Sequence, residues 1–275
     1  VGALTGRVAL VTGAARGQGR SHAVRLAEAG ADVIAIDVCA PVPELPYDMA
    51  TPEDLAETTR LVEAHGGRIV AAEVDVRDRD GLTGVVAKGV AELGGLDVVV
   101  ANAGVSTILP AEGVSPSAMW EATVGINLTG VWHTVEAALP PMRESGRGGS
   151  IVLISSTAGL KGLVGATGTP ATLAYTASKH GVVGLMRAYA VGLAKESIRV
   201  NTVHPTGVKT PMVTNESLGA YFAEDPEDLE MMANALPVEL LQPGDISDAV
   251  LWLASDAARY VTGVALPVDA GFHVR

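Results

Sequence analysis

The chain has 275 residues, 48% of them apolar, with 31 acidic against 19 basic side chains and a formal net charge of −12. That length fits one large α/β domain or two small ones around a substantial core, and the negative charge argues against nucleic-acid or anionic-membrane partners. One cysteine, Cys39, excludes an internal disulfide; with no membrane-length apolar run and no histidine pair at ligand spacing, the sequence reads as a cytoplasmic protein without a metal site.

The apolar run Val8–Thr12 reads as a buried strand, followed by Gly13-Ala14-Ala15-Arg16-Gly17-Gln18-Gly19. Glycines that end a strand and open a helix let the main chain turn sharply, expose N–H groups and place an anion at the helix N-terminus. A helix over 17–29 leads to a second strand, Asp32–Ile36, which ends in Asp37. An acidic residue about twenty positions past the glycines is where a ribose hydroxyl pair would be held. A dinucleotide site follows as the expectation. Asp37 would repel a 2′-phosphate and so favours NAD; Arg16 could pair with that phosphate, or face the pyrophosphate or Asp37 itself.

Further strands are predicted at Arg68–Val76, Leu96–Ala101, Ser150–Ser155, Ile198–Val203 and Val264–Val268, with helices near 53–65, 79–93, 117–145, 173–196 and 246–254. Seven mostly unbroken apolar strands interleaved with helices predict a single-domain, Rossmann-type, doubly wound parallel sheet spanning 1–275. Two segments break the alternation. Residues 38–52 carry Pro41, Pro43 and Pro46 and must be irregular until Thr51 caps a helix with Pro52 at its first position. Residues 206–241 are rich in Met, Leu and aromatic side chains. Both follow carboxyl ends of strands, where such sheets bind ligands. The first begins directly after Asp37, so it is expected to fold over the adenosine half of the site and slow cofactor release.

Tyr175 and Lys179 stand at i,i+4 on one helix face. A cation beside a phenol favours phenolate, each pKa unit being worth roughly 1.4 kcal/mol, which makes Tyr175 a candidate general acid/base. Ser155 and Ser156 end a buried strand at the ligand side, where either hydroxyl could donate to a carbonyl or alkoxide. Asn102-Ala103-Gly104 and Asn127 place further polar groups in apolar surroundings, structural hydrogen bonding being their default.

In this order, Thr12-Gly13-x-x-x-Gly17-x-Gly19, Asn102-Ala103-Gly104, Asn127, Ser156, Tyr175-x-x-x-Lys179 and Val268-Asp269 resemble the motifs of short-chain dehydrogenase/reductases over essentially the whole chain. The resemblance implies that Tyr175 exchanges the substrate hydroxyl proton and that Ser156, second of its pair, holds the substrate oxygen. It further implies that Lys179 binds the nicotinamide ribose and lowers the tyrosine pKa, while Asn127 anchors a water in a proton relay. Carried over residue by residue, the cofactor would be held by Gly13, Arg16, Gly17, Gln18, Gly19, Asp37, Val38, Asp75, Val76, Asn102, Ala103, Gly104, Tyr175, Lys179, Pro205, Gly207, Val208 and Thr210.

Within that family the 38–52 insertion, the helix beginning Thr51-Pro52-Glu53-Asp54-Leu55 and His204–Met212 resemble the carveol dehydrogenase branch of mycofactocin-dependent oxidoreductases. Thr206 stands where the broader family has glycine, and the Ser156–Tyr175 spacing is several residues longer than usual. The branch implies a cyclic terpenoid alcohol, with NAD kept bound and regenerated in place by another redox carrier, and the broader family implies a homotetramer built through 117–145, 173–196 and the last strand. The pocket walls expected from sequence are Leu160, Leu163, Val164, Met212, Leu218, Tyr221, Phe222, Met231 and Met232, which suit an apolar secondary alcohol. The competing functions are an NADPH-dependent reductase of ketones or acyl-thioesters and a non-catalytic NAD-sensing module; the second requires a broken catalytic set.

Overall fold

Strands without polar alternation need cover on both faces, and the fold supplies it. In the computed structural model, which describes residues 2–106, 111–162, 168–224 and 226–275, seven strands form one sheet. They are β1 (Val8–Thr12), β2 (Asp32–Asp37), β3 (Ile69–Glu73), β4 (Val98–Ala101), β5 (Gly149–Ile154), β6 (Ile198–Pro205) and β7 (Ala265–Val268). All pairings are parallel, in the order β3-β2-β1-β4-β5-β6-β7. Strand order therefore reverses between β1 and β4, and the crevice at their carboxyl ends is the natural ligand position.

Successive residues of each strand feed opposite cores. Leu10, Ile34, Val99 and Leu153 pack with α3 (Arg79–Leu93), α5 (Gly130–Ser145) and α6 (Pro170–Gly192). Val11, Val33, Val100 and Val152 pack with α1 (Gly17–Glu28), α2 (Pro52–Ala64) and α9 (Pro243–Ala254). Thr51 caps α2 in a reciprocal box with Asp54, behind Pro52, as its sequence predicts.

Two departures from the expected elements matter for the site. The helix expected over 117–145 is α4 (Pro116–Val124), a π-turn Gly125–Thr129 and then α5, which continues through Pro140 and Pro141. The wider π-turn falls on Asn127 and re-aims it. Segment 206–241 holds two helices, α7 (Glu216–Glu224) and α8 (Pro226–Met231). Pro226 starts the second of these, where a proline is compatible with helix.

The insertion has no regular structure until Pro52 but is firmly packed: Val42 and Leu45 are buried in one core and Ala50 in the other. It crosses the carboxyl edge of the sheet as a strap, from one layer to the other.

Candidate active site

The glycine loop is shaped by contacts that no other residue type allows. Gly13 has φ +68, and a Cβ there would lie 2.9 Å from the Ala103 Cα. A Cβ at Gly19 would run into the Gly13 carbonyl oxygen. Gly19→Ala is therefore expected to cost roughly 1–3 kcal/mol through overpacking, read as a lower Tm together with loss of bound dinucleotide.

Residues outside the glycine motif fix the loop. Asn102 Nδ2 donates to the Thr12 carbonyl at 2.9 Å, and the Ala103 N–H donates to Thr12 Oγ1 at 3.2 Å. The Thr58 hydroxyl donates to the Ala14 carbonyl at 2.9 Å, and Arg20 Nε donates to that of Ala15 at 2.9 Å. With its carbonyls held from behind, the loop turns toward the crevice the first-turn N–H groups of α1, which have no helical acceptor. Asp37 accepts from the Ala15 N–H at 2.8 Å and weakly from that of Cys39 at 3.4 Å. Arg16 borders the crevice but does not pair with Asp37. Its guanidinium donates to the Asp48 carbonyl and so clasps the insertion to the glycine loop.

All cofactor residues expected between Gly13 and Lys179, and Thr210, border one cleft, closed on its outer side by Val42, Tyr47, Met49 and Ala50 of the strap. Pro205, Gly207 and Val208 differ: they border the adjoining cavity instead, because the chain bends away after β6. That cavity, of about 800 Å³, is walled by Met212, Leu218, Tyr221, Phe222 and Met232 as expected. Met231 is not among its lining residues and is 49% exposed, since it ends α8 on the outer side. Leu160 is also absent from the lining; the 3₁₀ turn Thr157–Gly159 brings Thr157 to the wall in its place. Leu163 and Val164 lie outside the described residues.

At the junction of cleft and cavity stand Ser156, Tyr175 and Lys179. Ser156 caps the 3₁₀ turn, accepting from the Ala158 N–H at 3.1 Å, and its side chain hydrogen-bonds Tyr175. Ser155 is spent elsewhere: its hydroxyl donates to the Lys179 carbonyl at 3.0 Å. Lys179 Nζ donates to the Ile154 carbonyl at 2.9 Å and lies 5.7 Å from the Tyr175 ring centroid. Asn127 accepts from the Val105 N–H and donates to the Val105 carbonyl, both at 2.8 Å. Its amide thus braces the π-turn against the loop after β4 through its oxygen and one N–H.

Electrostatics depart from the sequence expectation. Burial raises the Tyr175 phenol above its ordinary value, with the Ser156 hydrogen bond pulling it partly back, and the lysine is not among the causes. Burial also lowers Lys179 to about 8. Desolvation outweighs the pairing that i,i+4 spacing suggests, because both groups are removed from water at once.

Sequence reading gave no role to His204, the penultimate residue of β6. One ring nitrogen meets the Ser156 carbonyl at 2.7 Å and the other the Thr202 hydroxyl at 2.7 Å. A carbonyl only accepts, so Nδ1 carries the proton and Nε2 accepts from Thr202. Burial lowers His204 to about 4, so it stays neutral and holds the Ser156 main chain.

Residues 7–219 match the family model for short chain dehydrogenases. The chain is 47% identical over 274 residues to (-)-trans-carveol dehydrogenase of Rhodococcus erythropolis, covering 97% of each protein. It is similar in structure to carveol dehydrogenase from Mycobacterium avium in complex with NAD, with 52% identity, full coverage of both chains and a TM-score of 0.92. A short chain dehydrogenase from Mycobacterium paratuberculosis bound to NAD gives 50% identity, again with full coverage, and a TM-score of 0.90. No helix among the described residues is long and apolar enough to cross a membrane. The glycine loop, the strand-end asparagine and the Ser156–Tyr175–Lys179 junction thus lie within a match spanning most of the sequence, and the chain belongs to the short-chain dehydrogenase family.

Proposed function

We propose that this protein oxidises an apolar secondary alcohol to the ketone, using NAD held in the cleft behind the 38–52 strap. The observation that carries this reading is the convergence of Ser156, Tyr175 and Lys179 where the cleft opens into an apolar cavity. The cleft suits NAD on its own chemistry: anion-ready N–H groups at the α1 N-terminus, and at the end of β2 a carboxylate that accepts ribose hydroxyls and repels a 2′-phosphate. When bound, NAD supplies the acceptor for the hydride leaving the carbinol carbon.

The protein's own groups manage the oxygen and its proton. Ser156 donates to the alcohol oxygen as it becomes a carbonyl, held in place by its turn and by His204. Tyr175 removes the hydroxyl proton, and Lys179 supplies positive charge beside it and would hold the nicotinamide ribose of a bound NAD. The main-chain carbonyl of Asn127 holds a water that passes the proton outward. The physiological alcohol is a carveol-like cyclic terpenoid. The functional unit is a homotetramer, which would cover Trp120 and Trp132, now 44% and 38% exposed.

The strap keeps NAD bound between turnovers, so that a mycofactocin-like redox carrier regenerates it in place. Its support is the Arg16–Asp48 clasp together with the apolar strap residues across the cleft. Denaturing freshly purified protein should release NAD into the supernatant, and the protein should oxidise alcohols with an artificial electron acceptor and no added NAD. Arg16→Ala should shed NAD on dialysis about ten- to a hundred-fold faster, the range for a charge-assisted hydrogen bond. Equal retention, or fast turnover driven by free NAD in the wild type, would contradict retention.

A further inference from the structure

The strap reaches beyond the cofactor cleft. Among the described residues, Gln18, Tyr47, Ser155, Tyr175, Thr210 and Met212 border both cleft and cavity and form the neck between them. Most polar atoms there are committed. Ser155 donates to the Lys179 carbonyl, Thr210 donates to that of Val208, and Tyr175 pairs with Ser156.

One group is not. The Tyr47 phenol oxygen accepts from the Ser106 N–H at 3.3 Å, while its own O–H meets no acceptor among the described residues. Polar groups away from bulk water are normally paired, so a spare donor at the mouth of an apolar cavity points to a ligand oxygen.

The neighbours of Tyr47 say which ligand. Pro46, just before it, and Ser106, which holds it, border the cavity alone; Val42, Met49 and Ala50 border only the cleft. Tyr47 is therefore where the strap turns from the cofactor side to the substrate side. Burial raises its phenol to about 12, so it remains a donor at working pH.

We propose that Tyr47 donates a hydrogen bond to a second oxygen of the substrate. The preferred substrates are then carveol-like cyclic alcohols that bear one further hydroxyl or carbonyl, ahead of carveol itself and other mono-alcohols. This rests on the alcohol-oxidising reading above and adds a specificity residue to it.

The test compares kcat/KM for matched cyclic alcohols with and without a second oxygen, placed at successive ring positions. The assay uses wild type and Tyr47→Phe with an artificial electron acceptor. The wild type should prefer at least one two-oxygen substrate, and Tyr47→Phe should lower that preference about 3- to 12-fold, the span of a neutral hydrogen bond. The NAD content per chain should match that of the wild type. An unchanged preference overturns the proposal. So does loss of NAD from Tyr47→Phe, which would make the phenol a cofactor contact. If that variant does not fold, the wild-type preference decides alone, and parity across all matched pairs refutes the proposal. Absence of turnover with every alcohol would instead refute the alcohol reading and remove this proposal with it.

Discussion

Tyr175→Phe should lower alcohol oxidation by about 10²–10⁴-fold, the range that general acid–base catalysis covers, while the purified variant still carries its cofactor. The ring would still pack at the neck and Lys179 would keep its bond to the Ile154 carbonyl, so only the proton acceptor is removed. The wild-type profile should carry the signature of a raised phenol. Burial holds Tyr175 protonated at neutral pH, so oxidation should increase as pH rises and more phenolate forms, and ketone reduction should fall. Stopped-flow measurement of bound nicotinamide reduction across pH tests both parts. Activity that survives in Tyr175→Phe with its pH dependence intact would remove the tyrosine from the chemistry.

Lys179→Met should combine a loss of activity of about two orders of magnitude or more with altered pH dependence of stability. In the folded protein Lys179 releases its proton at about 8, against 10.5 for the free side chain. Between those values the unfolded chain binds more protons, so wild-type stability should rise with pH across that window. Below pH 8 the full cost of burying the charge is present, on the order of 3 kcal/mol by linkage. The variant lacks that cost but leaves the Ile154 carbonyl without its donor, which offsets about 1–3 kcal/mol of the gain. Its Tm should therefore be flat over the window where the wild-type Tm climbs. Parallel Tm curves for the two proteins would show that the ammonium is not buried as described.

The parts of the site that sequence reveals are those carried on regular elements. Tyr175 and Lys179 are readable because a helix puts i and i+4 on one face, and Asp37 because β2 ends at a fixed distance from the glycines. The seven strands are readable because unbroken apolar runs have few other uses in a chain of this length. Tyr47 was invisible for the opposite reason: an irregular, proline-rich segment has no period, so nothing in its spelling says which side chain turns inward. His204 lies just past the strand predicted over Ile198–Val203, and only coordinates show the Ser156 carbonyl at its ring nitrogen. The π-turn at Asn127 keeps a helical composition and so read as uninterrupted helix. Desolvation of the lysine and tyrosine likewise depends on burial, which spacing does not report.

A single turnover with an alcohol deuterated at the carbinol carbon addresses the central claim most directly. The freshly purified protein would be mixed with the labelled alcohol and denatured, and the released nicotinamide examined by mass spectrometry. The reduced dinucleotide should carry the deuterium, with the unlabelled ketone as co-product. Reduced dinucleotide without the label, or no dinucleotide at all, would contradict hydride transfer at this neck.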